Sequence, residues 1–93
     1  MRRTGGDELT DADRRVMSFL GDHGAEYPAI IASRTGLYVS LAERRCAFLE
    51  EAGYIESVGG TAVYRLTDRG NARLAEDDAD RNPFRIAGNR ASD

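Results

Sequence analysis

The sequence predicts a small, mostly α-helical domain that carries one β-hairpin. Three observations support this prediction: a length of 93 residues, apolar residues at helical spacing, and one alternating stretch around a Gly-Gly pair. A typical domain takes about 100 to 150 residues, so the chain has room for one hydrophobic core. We expect an N-terminal arm over residues 1–10, a folded domain over 11–76, and an acidic, polar tail over 77–93 that is disordered or loosely docked.

The first two predicted helices each begin at a recognisable signal. Thr10, followed three residues later by Asp13, has the spacing of a helix cap, and apolar residues at helical spacing then predict a helix over about 11–22. Pro28 suits the first turn of a helix, because its missing N–H would have no partner there. It begins a short helix over about 28–34, which Gly36 ends.

A third helix is predicted over residues 40–52. Ser40 and Glu43 have the spacing of a capping box, in which the Glu43 carboxylate accepts from a backbone N–H; this role is favoured over that of an acceptor for a ligand. Ala42, Cys46 and Leu49 form its apolar stripe, and a glycine follows at position 53.

The residue pattern changes after the third helix. β-branched and aromatic residues alternate over 54–58 and 61–66 on either side of Gly59 and Gly60. This pattern predicts a β-hairpin, because glycine readily adopts the positive φ of a tight turn. Thr67 is then expected to cap a fourth helix over about 68–76.

The basic residues are all arginine, 13 of them, against 16 acidic residues and a net charge of -3. Lysine avoidance of this kind resembles proteins of salt-loving archaea, although a GC-rich genome favours arginine in the same way. A net acidic chain does not suit a protein that coats nucleic acid non-specifically. Any DNA contact should therefore be local, and residues 34–73, with six arginines against five acids, form the only stretch with a positive balance.

Several other classes of protein are disfavoured. No apolar run approaches the roughly 20 residues of a membrane span, and no apolar stretch follows the first arginines, so we expect a cytoplasmic protein. Cys46 and His23 are the only residues of their kinds, which leaves no metal-ligand set and no cofactor site. No paired carboxylates, no nucleophile with a base and no phosphate-binding loop occur, so an enzyme is not expected.

The order of elements is helix, short helix, tight turn, helix, hairpin and helix. It resembles the winged helix-turn-helix domains of archaeal and bacterial transcription regulators, most of all the small repressors of haloarchaea and their phages, the phi-H repressor type. The resemblance covers residues 11–76, and its main carriers are Gly36-Leu37, Arg44-Arg45, and residues 49–56 and 64–70. The sequence departs from the pattern at Tyr27, Thr35 and Cys46.

The resemblance implies that the third helix enters the major groove of DNA. Its N-terminal residues would then face base edges and phosphates, with Arg44 on a base and Arg45 on a base or a phosphate. The alternative is that both arginines are solvated and pair with Glu51 or nearby aspartates. The implied contacts of this helix are Tyr38, Val39, Ser40, Leu41, Arg44 and Arg45.

The hairpin would act as the wing, along the DNA backbone or in the minor groove. Arg65 at the far end of the second strand and Arg34 at the end of the second helix are candidates for phosphate contacts, and a solvated surface role is equally open for each. The implied contacts at the hairpin tip are Ser57, Gly59, Gly60 and Thr61.

The function implied is a sequence-specific regulator that binds double-stranded DNA, and a repressor in particular. At molar salt the screening length is about 3 Å, so base contacts and two half-sites read by a homodimer would have to supply the affinity. The dimer surface would be the first helix or the segment Asn82-Pro83-Phe84-Arg85-Ile86. The alternative function is a winged-helix module for protein interaction or dimerisation that does not bind DNA.

Overall fold

The computed structural model describes residues 8–81, and side chains over residues 8–77. Residues 1–7 and 82–93 lie outside this description, and with them most of the predicted arm and the tail segment considered as a dimer surface. A three-helix core, a two-stranded wing and a C-terminal helix follow one another, which confirms the predicted fold class. The elements are α1 (Asp11–His23), α2 (Pro28–Thr35), α3 (Val39–Glu51), β1 (Ile55–Ser57), β2 (Tyr64–Leu66) and α4 (Asp68–Arg81).

The start of α1 confirms the predicted cap. The Thr10 hydroxyl accepts a hydrogen bond from the Asp13 N–H at 3.1 Å, and the Asp13 carboxylate accepts one from the Thr10 N–H at 2.9 Å. These two bonds satisfy donors that the first helical turn leaves without partners. α1 then buries Val16, Met17 and Leu20 at the centre of the core.

The turn between α2 and α3 is shorter than predicted. Gly36 adopts a left-handed conformation with φ 78°, and the N–H groups of Gly36 and Leu37 both donate to the Ala32 carbonyl at 3.0 Å. Leu37 packs against the core, so Tyr38 is the N-cap and α3 begins at Val39. The predicted capping box of Ser40 and Glu43 is therefore wrong, because Ser40 already lies inside the first helical turn.

The wing is an antiparallel hairpin in which β1 pairs with β2, with Ile55 opposite Leu66. Its strands are shorter than predicted, because the Thr61 N–H and hydroxyl both turn back to the Val58 carbonyl, at 3.1 and 2.6 Å. Gly59 and Gly60, with φ 61° and 73°, form the middle of this turn. The loop thus takes residues that the alternating pattern placed in the second strand.

A backbone bridge joins the wing to the segment before α2. Glu26 and Tyr64 exchange two N–H to carbonyl hydrogen bonds, each of 3.0 Å. The helix-turn-helix and the wing are therefore held together by main-chain bonds as well as by side-chain packing.

α4 begins as predicted and runs further than predicted. The Thr67 hydroxyl accepts from the Gly70 N–H at 3.0 Å and donates to the Gly53 carbonyl at 2.7 Å. The helix continues past the expected end at residue 76 to Arg81. Asp77 lies in this added part of α4, and its carboxylate forms an ion pair with Arg14 of α1 at 3.6 Å.

The core also contains the single cysteine. Cys46 is buried, and its pKa is raised to about 11, mainly by desolvation and further by the nearby carboxylates of Glu50, Asp13 and Glu43. Only the thiolate reacts readily with thiol reagents.

None of the helices in the described part of the chain has both the length and the apolar character of a membrane span.

We expect Cys46 to react with Ellman's reagent at pH 8 only after the chain unfolds in guanidinium chloride. A neutral buried thiol stabilises the fold fully below the ordinary pKa of 9.0, and this contribution is lost as the pH rises toward about 11. Rapid and complete labelling of the native chain at pH 8 would contradict the buried position of this side chain.

Candidate nucleic-acid interface

α3 has one buried face and one open face. Ala42, Cys46 and Leu49 are buried against the core, as the apolar stripe predicted. The side chains on the opposite side of the helix are exposed to solvent. The open face consists of Ser40, Glu43, Arg44, Ala47 and Glu51.

The N-terminus of α3 projects apolar side chains into solvent. Tyr38 is 83% exposed and Val39 is 46% exposed, and the Tyr38 side chain makes no capping bond. Ser40 is exposed beside them, whereas Leu41 is half-buried. Three of the four predicted contacts at this helix start are thus accessible, and Leu41 is less so.

Arg44 is exposed at the middle of the open face. Within residues 8–77 its guanidinium has no hydrogen bond and no ion pair. A guanidinium offers five N–H donors in a planar fork that matches the O6 and N7 acceptors of guanine. All of these donors remain available to a ligand, as the base contact predicted for Arg44 requires.

Arg45 points the other way. Its Nε donates to Asp13 Oδ1 at 2.6 Å and its Nη2 donates to Asp13 Oδ2 at 2.8 Å, while the guanidinium lies 4.4 Å from the centroid of the Phe48 ring. Asp13 is fully buried, and its hydrogen bonds raise the pKa of Arg45. The pair with a nearby aspartate is the alternative expected for Arg45, although Arg44 does not share it. Two Arg45 donors are thus directed at α1 and not at the open face, against the orientation predicted for a base or phosphate contact.

The wing tip is polar and without charge. Gly59, Gly60 and Thr61 are exposed there, and Ser57 is half-buried with its hydroxyl 3.5 Å from the Glu50 carboxylate. The Thr61 hydroxyl already donates within the turn, so the tip offers a ligand mainly backbone groups.

The two candidate phosphate contacts differ in their surroundings. Arg65 is exposed and its Nε donates to Glu56 at 2.7 Å, directly across the hairpin. Such exposed pairs contribute about 0 to 1 kcal/mol, so the pair opens at little cost. Arg34 is exposed in the last turn of α2 and, within the described residues, has no ion-pair partner.

The sequence reasoning missed part of this surface. Tyr27, the N-cap of α2, and Ile30, in its first turn, are 52% and 41% exposed. Glu43, for which capping was favoured over accepting from a ligand, is exposed, and no side chain caps the start of α3. The inward direction of Arg45 had a signal in the sequence: the residue lies three after Ala42 and four before Leu49, on the buried stripe of α3.

Among the described residues, no group of three His, Cys, Asp or Glu side chains could hold a metal ion.

No protein-family model matches the chain, and no curated protein matches it by sequence. Solved structures do match. The YusO protein from Bacillus subtilis superposes with a TM-score of 0.74 at 24% identity, over 85% of this chain and 60% of that one. NMB1585 from Neisseria meningitidis, described as a MarR family regulator, matches with a TM-score of 0.67 at 21% identity, over 91% and 65% of the two chains.

A third structure, ZitR from Lactococcus lactis, was solved in complex with DNA. It matches with a TM-score of 0.66 at 17% identity, over 97% of this chain and 68% of that one. The chain spans less than two thirds of the length of YusO and NMB1585. Together these likenesses show that the chain has a winged-helix fold.

Proposed function

We propose that the protein is a sequence-specific regulator that binds double-stranded DNA and represses transcription by occupying a promoter. The observation that carries this proposal is the open face of α3, where Tyr38, Val39 and Arg44 stand exposed on a rigidly packed helix. An α-helix fits the major groove of B-DNA, in which each base pair presents a distinct set of donors, acceptors and methyl groups. ZitR, a protein of the same fold, was solved in complex with DNA, which supports DNA as the ligand.

The charges on α3 favour base reading over backbone attraction. Arg44 is accompanied on the open face by Glu43 and Glu51, so this face carries no positive excess. Non-specific binding depends on neutralised phosphates and weakens with salt, at a slope of about -0.9 in log affinity per phosphate. We therefore expect weak binding to random DNA and a binding site recognised through Arg44 and the apolar groups before it.

The absence of lysine from the sequence favours a regulator of the small haloarchaeal and phage type, in the cytoplasm of a salt-rich cell. Under molar salt a single recognition helix gives little affinity, so we also propose a homodimer that reads a near-palindromic site. Sedimentation that finds one chain per duplex, and one chain without DNA, would contradict the dimer while leaving DNA binding intact.

The experiment that tests the proposal is selection of bound sequences from random duplex DNA by the full chain, at low and at molar potassium chloride. We expect one enriched motif under both conditions, with two inverted half-sites separated by about one helical turn. Failure to enrich any sequence at either salt concentration would contradict the proposal.

One observation favours a second function, that of a protein-interaction module. The large apolar side chains exposed within residues 8–77 all lie at the N-termini of α2 and α3, either as the N-cap or in the first turn: Tyr27, Ile30, Tyr38 and Val39. Apolar groups of this kind also suit a protein partner. The two functions separate at Arg44, since its replacement should weaken recognition of DNA by about 1 to 3 kcal/mol and leave an apolar protein contact intact.

A further inference from the structure

We propose that Asp13 and Arg45 are positioning residues, whose buried ion pair fixes the rotation of α3 about its axis and so directs the open face toward DNA. This inference rests on the proposed function. Asp13 is the one charged or polar residue that is buried within the described part of the chain. Burying a charge costs desolvation energy, which the attraction to a partner often does no more than offset. The stability of the fold alone therefore does not explain why Asp13 is buried with Arg45 as its partner.

The geometry of the pair is directional. Two N–H donors of the Arg45 fork meet the two oxygens of one carboxylate, at 2.6 and 2.8 Å. The carboxylate is itself braced, because Asp13 Oδ2 also accepts the Thr10 N–H and the Asp13 N–H is held by the Thr10 hydroxyl. A two-bond contact between planar groups permits little rotation, whereas a single bond would permit much more.

Along the buried face of α3, Arg45 lies between Ala42, a small side chain three residues before it, and Leu49, a large buried one four residues after it. Apolar packing therefore restrains the part of this face that follows Arg45, and the ion pair adds a directional contact one turn earlier. Arg45 is the seventh of the thirteen residues of α3, so the pair acts at the middle of the helix. Phe48 supports the guanidinium from one face.

The direction of Arg44 follows from that of Arg45. Successive residues in an α-helix are separated by about 100° around the axis, so a helix that turns Arg45 inward to α1 turns Arg44 outward. A second contact restrains the same region, since the Arg15 Nη1 donates to the Thr35 carbonyl at the end of α2, at 3.0 Å. The first turns of α1 therefore hold both helices of the helix-turn-helix.

The test compares Asp13→Asn, Arg45→Lys and the double variant in the full chain, using the duplex selected by the wild-type protein. Asp13→Asn keeps an oxygen for Thr10 and removes the charge; Arg45→Lys keeps the charge and removes the fork. We expect each single variant to bind the duplex about tenfold more weakly, and the double variant to bind no more weakly than either, because all three lose the same contact. Asp22→Asn is the matched control, since it removes an exposed carboxylate of α1 that forms no ion pair within residues 8–77, and its affinity should be unchanged.

Two further readings separate positioning from other roles. Affinity is measured per folded molecule, at a temperature well below the lowest unfolding midpoint, so that a loss of stability alone leaves it unchanged. The slope of log affinity against log salt should be the same for Asp13→Asn and Arg45→Lys as for the wild type. A third variant, Arg45→Gln, removes the positive charge; if Arg45 contacted a phosphate directly, the slope of this variant would be smaller by about 0.9. Wild-type affinity in the folded single variants, or a changed slope, would overturn the inference.

A wild-type chain that binds no duplex at all would instead contradict the proposed function. If Asp13→Asn fails to fold, Arg45→Lys decides the question, because it leaves the cap of α1 intact.

Discussion

Replacing Gly70 with alanine should destabilise the domain by about 3 kcal/mol, because the backbone of α4 at Gly70 packs directly against the backbone of Tyr54 and leaves no space for a methyl group. A Cβ at position 70 would overlap the Tyr54 carbonyl oxygen and lie 2.8 Å from Leu66 Cδ1. The Tyr54 backbone is held in this position, because its carbonyl accepts a hydrogen bond from the Thr67 N–H at 3.0 Å. Urea unfolding followed by circular dichroism would measure the loss.

Gly21→Ala is the matched control for this prediction. Gly21 also lies within a helix, but a Cβ there would meet only the end of the Leu66 side chain, at 3.3 Å. Alanine favours a helix over glycine by about 1 kcal/mol, which offsets a small adjustment of Leu66. Equal losses of stability in the two variants would contradict the close approach at Gly70.

Arg44 lies on the open face of α3, the proposed recognition surface. Arg44→Ala should weaken binding to the selected duplex by about 1 to 3 kcal/mol and reduce discrimination at one base pair, because a two-bond contact to guanine is lost. Its free energy of unfolding should change by less than about 0.5 kcal/mol, because the side chain is exposed and, within residues 8–77, has no partner. Fluorescence anisotropy with the selected duplex and with single-base variants measures both quantities.

Arg34→Ala is the informative comparison for Arg44→Ala. A phosphate contact by Arg34 carries no sequence information, so its loss should weaken binding to all duplexes alike and reduce the salt slope by about 0.9. If Arg44→Ala shows this same uniform pattern, Arg44 contacts the backbone. If it leaves binding unchanged, Arg44 does not contact the duplex, and the predicted base contact is wrong.

The helix boundaries show which signals act locally. The capping bonds of Thr10 and Thr67 reach three residues along the chain, and Pro28 acts on the first turn of its own helix, so these roles were predicted from the sequence and are seen in the structure. Ser40 failed as a cap because Leu37 packs on the core and brings the chain into the helix at Val39. That choice depends on tertiary packing, which local spacing does not record.

The main features that the sequence did not predict are contacts between distant elements. Asp13 and Arg45 are 32 residues apart, and Asp13 already had a sufficient local role in the cap of α1. Glu26 joins the wing through main-chain bonds, which leave no trace in side-chain pattern. Asp77, beyond the expected end of α4, forms an ion pair with Arg14, a partner that becomes apparent only once α1 and α4 are packed together.

Methylation interference on the selected duplex tests most directly whether α3 reads the major groove. Methyl groups at guanine N7 project into the major groove, and those at adenine N3 into the minor groove. We expect guanine N7 methylation to block binding of the wild-type chain at a base pair where Arg44→Ala is insensitive to it. Interference confined to adenine N3, or an unchanged guanine N7 pattern in Arg44→Ala, would contradict this account.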